Sequence, residues 1–393
     1  MRKKIELFFK GQLAKIIAGK RVDSKTWVFS STNNVKFNYN SKYLFLYVLK
    51  HYPEINALFV INDDDFRKEL TEQYGKHFCE TNSLKGMIQV CQARVWFTSA
   101  GLPVYAFGLA KFHKIINLWH GVPLKTIALM EQKRSWTQKI YFHGMFSKNY
   151  EMILTTSKKL IPIMAQSFGV SENKIRVWGQ PRNDYLNAWR INKKTIKGES
   201  FPWFNVTCSY DKVILYAPTY REDEQTCWFP FADWNFETFQ KFLEEQQIIL
   251  CLRNHLSEHG SCEKYQGSRI LNLGSEIVQD ITDALPLFDA LITDYSSIYI
   301  DYLLLERPII FLPYDKEKYL KERGMNFTYD AVTPGAKPQT MKDFMESIIQ
   351  AFSSDPYKRD RIYVNHMLNE VLEPCSQKIC ENILRESREE IWV

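Results

Sequence analysis

Short apolar runs alternate with longer stretches of helical period along most of the chain. Trp27-Val-Phe-Ser30, Leu58-Phe-Val-Ile61, Val95-Trp-Phe-Thr98, Ile115-Ile-Asn-Leu118, Met152-Ile-Leu-Thr155 and Ile175-Arg-Val-Trp178 predict buried strands, with a helix expected over residues 41–51. A polar segment between Asn187 and Lys212 has no period and contains Pro202, as expected of a linker. A second series follows: Val213–Tyr216, Ile248–Leu252, Ile270–Leu273, Leu291–Thr293 and Ile309–Leu312. Residues 340–352 and 358–393 then predict helices. Strands and helices that alternate in this way build parallel sheets covered by helices.

The expected fold is therefore α/β, with two Rossmann-like parallel-sheet domains facing a cleft and a terminal helix packing back across. The pattern places one domain over residues 22–195 and the other over 210–355, with helices over 356–393. The 393 residues, 45% hydrophobic and 15% aromatic, suffice for two cores. A formal charge of +6 is too small to choose among anionic partners, and no motif for nucleic acid accompanies it. Eight cysteines follow neither a disulfide framework nor a zinc-ligand spacing, which suits reduced thiols.

No apolar run reaches the ~20 residues needed to span a bilayer. Residues 1–21 begin like a signal peptide, but Lys10 and Lys15 interrupt the apolar segment. They predict an amphipathic helix, with Ile5, Phe8, Phe9, Leu13, Ile16 and Ile17 on one face and basic residues around it. Such a helix suits an anionic membrane surface, or equally packing on its own domain. Residues 130–150 offer the same two readings. There Lys133, Arg134, Lys139 and Lys148 are interleaved with Trp136, Tyr141, Phe142, Met145 and Phe146.

Polar residues gather where the predicted strands end, which is where open α/β sheets bind ligands. The strand at Ile115 runs into Trp119-His-Gly-Val-Pro-Leu-Lys125. There His120 can take a proton near neutral pH and Gly121 lets a substrate approach the backbone. Gly179-Gln-Pro-Arg-Asn-Asp184 offers Arg182 and Asp184, although these can also cap the helix that follows. In the second half, Tyr216-Ala-Pro-Thr-Tyr-Arg221 and Arg253-Asn-His255 place cations after strands, where Arg presents a planar fork to phosphate oxygens. Thr293-Asp-Tyr-Ser-Ser297 places Asp294 and two hydroxyls where a helix should begin, with Asp301 beyond. Together these groups suit a diphosphate. Asn62-Asp-Asp-Asp65 imitates a metal-binding acidic motif but reads more simply as a helix cap.

In their residues and their order these five motifs resemble the CDP-glycerol glycerophosphotransferase family of teichoic-acid and capsule synthesis, over about residues 26–335. The resemblance implies a GT-B fold and transfer of glycerol phosphate, or another alditol phosphate such as ribitol phosphate, from a CDP-alditol to a lipid-linked or polysaccharide hydroxyl, releasing CMP. It implies no metal or other cofactor, and a peripheral place on the cytoplasmic face of the cell membrane. Matched by position, His120 resembles the base toward the acceptor. His255 and Arg253 resemble the pair that neutralises the donor diphosphate, and Ser296, Ser297, Asp294 and Asp301 the donor-phosphate turn. Arg221 falls with the donor residues, and Gly121, Lys125, Arg182 and Asp184 elsewhere in the cleft. Leu256 stands where a proline commonly follows the family's R-x-H. A GT-B glycosyltransferase using a nucleotide sugar shares the fold and the diphosphate site, and a non-catalytic membrane scaffold is the reading from a different class.

Overall fold

The computed structural model describes residues 2–19, 21–192, 212–219, 221, 226–253, 262–274 and 277–389. His255 and most of the predicted linker lie outside them. The chain forms two compact units, one of Met1–Val122, Ile127–Tyr185 and Glu370–Val393, the other of Pro123–Thr126 and Leu186–Asn369.

The first unit contains strands β1 (Asp23–Ser30), β2 (Asn56–Val60), β3 (Phe78–Cys79), β4 (Ala93–Thr98), β5 (Lys114–Asn117), β6 (Tyr150–Thr155) and β7 (Ile175–Val177). They form a seven-stranded, wholly parallel sheet in the order β3-β2-β1-β4-β5-β6-β7. Both faces of such a sheet are covered, so its strands are apolar runs rather than alternating ones. Trp27, Phe29, Phe59, Val95 and Phe97 pack with the Tyr39–His51 helix on one side of it. The edge strand β3 has only two residues, too short for its period to be read from the sequence.

The Cys375–Glu389 helix completes this core by burying Cys375, Ile379, Cys380 and Ile383. Its spacing of apolar residues explains why both cysteines are core groups. The helices expected over 356–393 are Lys358–Leu368 and Cys375–Glu389, separated by residues that include Pro374.

The second unit contains β8 (Lys212–Tyr216), β9 (Ile248–Leu252), β10 (Ile270–Asn272), β11 (Ala290–Thr293) and β12 (Ile309–Phe311). These pair in parallel in the order β10-β9-β8-β11-β12. The strand order reverses between β1 and β4 in the first sheet and between β8 and β11 in the second. At such a switch point the loops leave in opposite directions and open a crevice.

The N-terminal helix, Arg2–Ala18, packs through its small residues. Gly11, Ala14 and Ala18 are buried, and a Cβ at Gly11 would lie 2.4 Å from the carbonyl oxygen of Tyr105. Ile5, Phe9, Leu13, Ile16 and Ile17 are left exposed. Among the described residues, no helix is long and apolar enough to cross a membrane.

Candidate active site

In the first unit, β5 ends at Asn117, and the Asn117 side-chain oxygen accepts the Trp119 N–H at 2.8 Å. Trp119 is thereby turned into a left-handed conformation, φ +54°, that side-chain-bearing residues seldom adopt. Tyr39, at the start of its helix, has φ +57°. The half-buried His120 ring lies against both residues, with centroids 3.9 Å from Trp119 and 5.0 Å from Tyr39. Two strained aromatics thus fix one imidazole.

Asn40 ties this arrangement together. Its Nδ2 donates to the carbonyls of Leu118 and Trp119 at 3.3 and 2.8 Å, while its Oδ1 accepts the Arg182 N–H at 3.2 Å. The loops after β5 and β7 are therefore joined through one buried amide. Burial, with the positive charge of Arg182 acting in the same direction, lowers the His120 pKa to about 4. At neutral pH the imidazole is unprotonated and can accept a proton.

Asp184 is engaged by the start of the terminal helix. Its carboxylate accepts the N–H groups of Cys375 and Ser376 at 2.6 and 2.8 Å and so caps the terminal helix. Gly179, at φ +84°, lies against the same turn, where a Cβ would stand 2.2 Å from the Cys375 sulfur.

In the second unit, the loops after β8 and β11 leave from the switch point and are locked to each other. Thr293 Oγ1 donates to the Ala217 carbonyl at 2.7 Å, and Asp294 Oδ1 accepts the N–H groups of Thr219 and Tyr295 at 2.7 and 2.6 Å. Arg221 Nη1 donates to Asp294 Oδ2 at 3.0 Å and to the Thr219 carbonyl at 2.8 Å. Its Nε and Nη2 form a two-pronged pair with Asp315, each at 2.9 Å. These bonds use four of the five guanidinium N–H groups.

Burial works against the charge on Arg221, but Asp315 and Asp294 more than offset it and hold its pKa above the ordinary arginine value. Arg221, expected with Asp294 among the donor residues, pairs with Asp294 and Asp315 inside the protein, and these bonds shape the turn. Tyr295 donates its hydroxyl to Asp315 at 2.9 Å and stacks on Tyr319 at 3.9 Å, and the Tyr329 hydroxyl donates to the Asp294 carbonyl at 2.8 Å.

On this rigid base Ser296 and Ser297 remain half-exposed. Ser296 Oγ accepts the Ile298 N–H at 3.4 Å, whereas Ser297 makes no capping bond. The helix they precede, Ile298–Tyr302, has only five residues, so its dipole adds little and the hydroxyls matter more. Asp301 is buried in that helix. Arg253 directs Nη1 to the carbonyls of Leu273, Gly274 and Val278 at 3.2, 3.1 and 2.6 Å, and clamps the loop after β10. Gly121 is buried and Lys125 is half-buried. Asp63 accepts the Phe66 N–H at 2.9 Å as a plain helix cap. No group of three or more metal-ligating side chains gathers among the described residues.

Comparison with known proteins fits this geometry. The sequence profile of CDP-Glycerol:Poly(glycerophosphate) glycerophosphotransferases matches residues 12–385. The teichoic acid glycerol-phosphate transferase of Staphylococcus aureus (strain NCTC 8325 / PS 47) is 26% identical over 91% of this chain and 92% of its own length. The teichoic acid poly(glycerol phosphate) polymerase of Bacillus subtilis (strain 168) is 27% identical over 85% of this chain, which spans 45% of that polymerase. The structure of the wall teichoic acid polymerase TagF superposes with a TM-score of 0.74 at 22% identity, covering 97% of this chain and 94% of that one, a likeness of GT-B-like fold.

Proposed function

The chain belongs to the CDP-glycerol:poly(glycerophosphate) glycerophosphotransferase family, and we propose that it moves an alditol phosphate from a CDP-alditol to an acceptor hydroxyl in teichoic-acid synthesis. The observation that carries this reading is His120, held neutral and fixed between Trp119 and Tyr39 just past the carboxyl end of a parallel strand. The acceptor oxygen attacks the phosphorus that bears the alditol, while His120 takes the hydroxyl proton. The bond from that phosphorus to the bridging oxygen breaks, and CMP leaves with the electron pair. A positioned base supplies on the order of 10² to 10⁴ in rate. Ser296 and Ser297 donate hydrogen bonds to the phosphoryl oxygens, where charge is spread in the transition state.

Donor binding tests the reading. CDP-glycerol or CDP-ribitol should raise the melting temperature of the protein and UDP-sugars should not. Stabilisation by UDP-sugars alone would replace the proposal with a nucleotide-sugar glycosyltransferase.

The acceptor in this proposal is linked to lipid, and the enzyme works at an anionic membrane surface. Two features support it. The Arg2–Ala18 helix presents Ile5, Phe9, Leu13, Ile16 and Ile17 outward, and the Trp136–Phe142 helix presents Trp136, Ile140 and Tyr141. Phe107, itself exposed, stacks edge-on with Phe8 of the first helix at 5.1 Å and lies beside Gly144, two residues past the end of the second. Lys10, Lys133 and Lys139 lie on the same elements or next to them.

A further inference from the structure

The loop after His120 leaves its own unit within three residues. Pro123–Thr126 belongs by its contacts to the second unit, where the turn after the Lys316–Arg323 helix grips it on several backbone atoms. Asn326 Nδ2 donates to the carbonyls of Pro123 and Lys125, both at 2.8 Å, and the Asn326 N–H donates to the Leu124 carbonyl at 2.9 Å. The Thr126 N–H and Oγ1 donate to the carbonyls of Gly324 and Arg323 at 3.3 and 2.5 Å. Leu124 is buried, and Lys125 bridges to Met325 in antiparallel fashion. So many bonds on so short a strap fix the direction of the one long side chain it carries.

That side chain is Lys125. Its ammonium lies 5.7 Å over the ring of Tyr319, which is stacked on Tyr295, the residue between Asp294 and Ser296. The charged and titratable groups around it are Asp294 after β11, Arg221 after β8, and Arg323 and Tyr319 on the Lys316–Arg323 helix. Of the two acids at this turn, Asp294 already accepts from Arg221, Thr219 and Tyr295, and Asp315 from Arg221 and Tyr295. Among the described residues no carboxylate lies within salt-bridge distance of Lys125. A half-buried ammonium beside two other cations, with no counter-ion among the described residues, is costly, and an arriving anion relieves that cost. Burial, assisted by Arg323 and Arg221 and opposed by Asp294, brings its pKa down to about 8, in keeping with that surplus of positive charge.

We propose that Lys125 is the cation that meets the diphosphate of the donor beside Ser296 and Ser297, with Asn326 as the positioning residue that aims it. The assignment rests on the CDP-alditol reading for the nature of the donor. Its anion site is defined by residues of the second unit alone. Lys125 takes over the part that the sequence pattern gives to Arg221, whose charge is used internally.

The test is calorimetric binding of CDP-glycerol or CDP-ribitol, and of inorganic pyrophosphate, to the full-length protein and to Lys125→Met, Lys125→Arg and Asn326→Ala. Lys125→Met should weaken both ligands tenfold or more while the melting temperature stays near that of the unaltered protein, and Lys125→Arg should fall between. Affinity of the unaltered protein should decline as pH rises past 8 and the ammonium deprotonates, a decline that Lys125→Met loses. Asn326→Ala should weaken binding several-fold, and no further once Lys125 is already methionine. Unchanged affinity for both ligands in Lys125→Met would overturn the proposal. Pyrophosphate binding that depends on Lys125, with none of CDP-glycerol or CDP-ribitol, would support the anion site while removing the CDP-alditol reading.

Discussion

His120 is the residue on which the chemistry turns, and its surroundings decide its protonation state. With a pKa near 4, a rate that depends on the neutral imidazole should persist well below pH 6.5, where an ordinary histidine would already be half protonated. Removing the neighbouring charge in Arg182→Gln takes away one cause of the depression, so the acid limb of kcat/KM should move to higher pH. An acid limb near 6.5 in the unaltered enzyme would contradict the assigned environment. Arg221 belongs to a different class. Arg221→Met leaves Asp294 buried and unpaired, and should cost about 3 to 5 kcal/mol of stability in urea melts, rather than act only on donor KM. His120 was legible in the sequence because strand, histidine, glycine and proline follow one another. The inward role of Arg221 was not, because it depends on Asp315, 94 positions away. Asn40 was missed for the same reason: an asparagine at a helix start looks like a cap, and its bonds to the loops after β5 and β7 appear only in three dimensions.

At the scale of elements, hydrophobic pattern carried most of the fold. Among the described residues, eleven strands coincide with apolar runs, because a parallel sheet covered on both faces selects such runs, and only the two-residue β3 escaped. The terminal helix shows what pattern leaves out. Its apolar positions are readable, but its start is set by Asp184, which lies 191 residues before Cys375. Gly179 stands against the same turn in a left-handed conformation. Gly179→Ala should therefore destabilise by more than the roughly 1 to 2 kcal/mol of a left-handed residue alone, since the new methyl meets the Cys375 sulfur. Equilibrium denaturation measures this, and a loss below 1 kcal/mol would mean that the turn readily shifts. The phosphate turn gives a similar lesson. A helix was expected after Ser297, yet what forms is a short one, and the turn draws its rigidity from the Arg221, Asp294 and Asp315 network instead.

For the molecule as a whole, the exposed apolar face of the Arg2–Ala18 helix is the feature that a soluble reaction does not need. It packs by Gly11, Ala14 and Ala18, so Phe9 and Ile16 can be altered without disturbing the core. Replacing both with serine should reduce sedimentation with phosphatidylglycerol vesicles several-fold, and high salt should weaken what remains, while turnover of a soluble acceptor is unaffected. Equal sedimentation of the two proteins would remove this helix from the membrane account. The central claim concerns which bond breaks, and the nucleotide released reports on it directly. When CDP-glycerol or CDP-ribitol and an acceptor are incubated with the protein, chromatography of the nucleotides should find CMP in step with new phosphodiester by phosphorus NMR, and neither should form with His120→Asn. Release of CDP in place of CMP would mean attack at carbon rather than phosphorus, and would contradict the account.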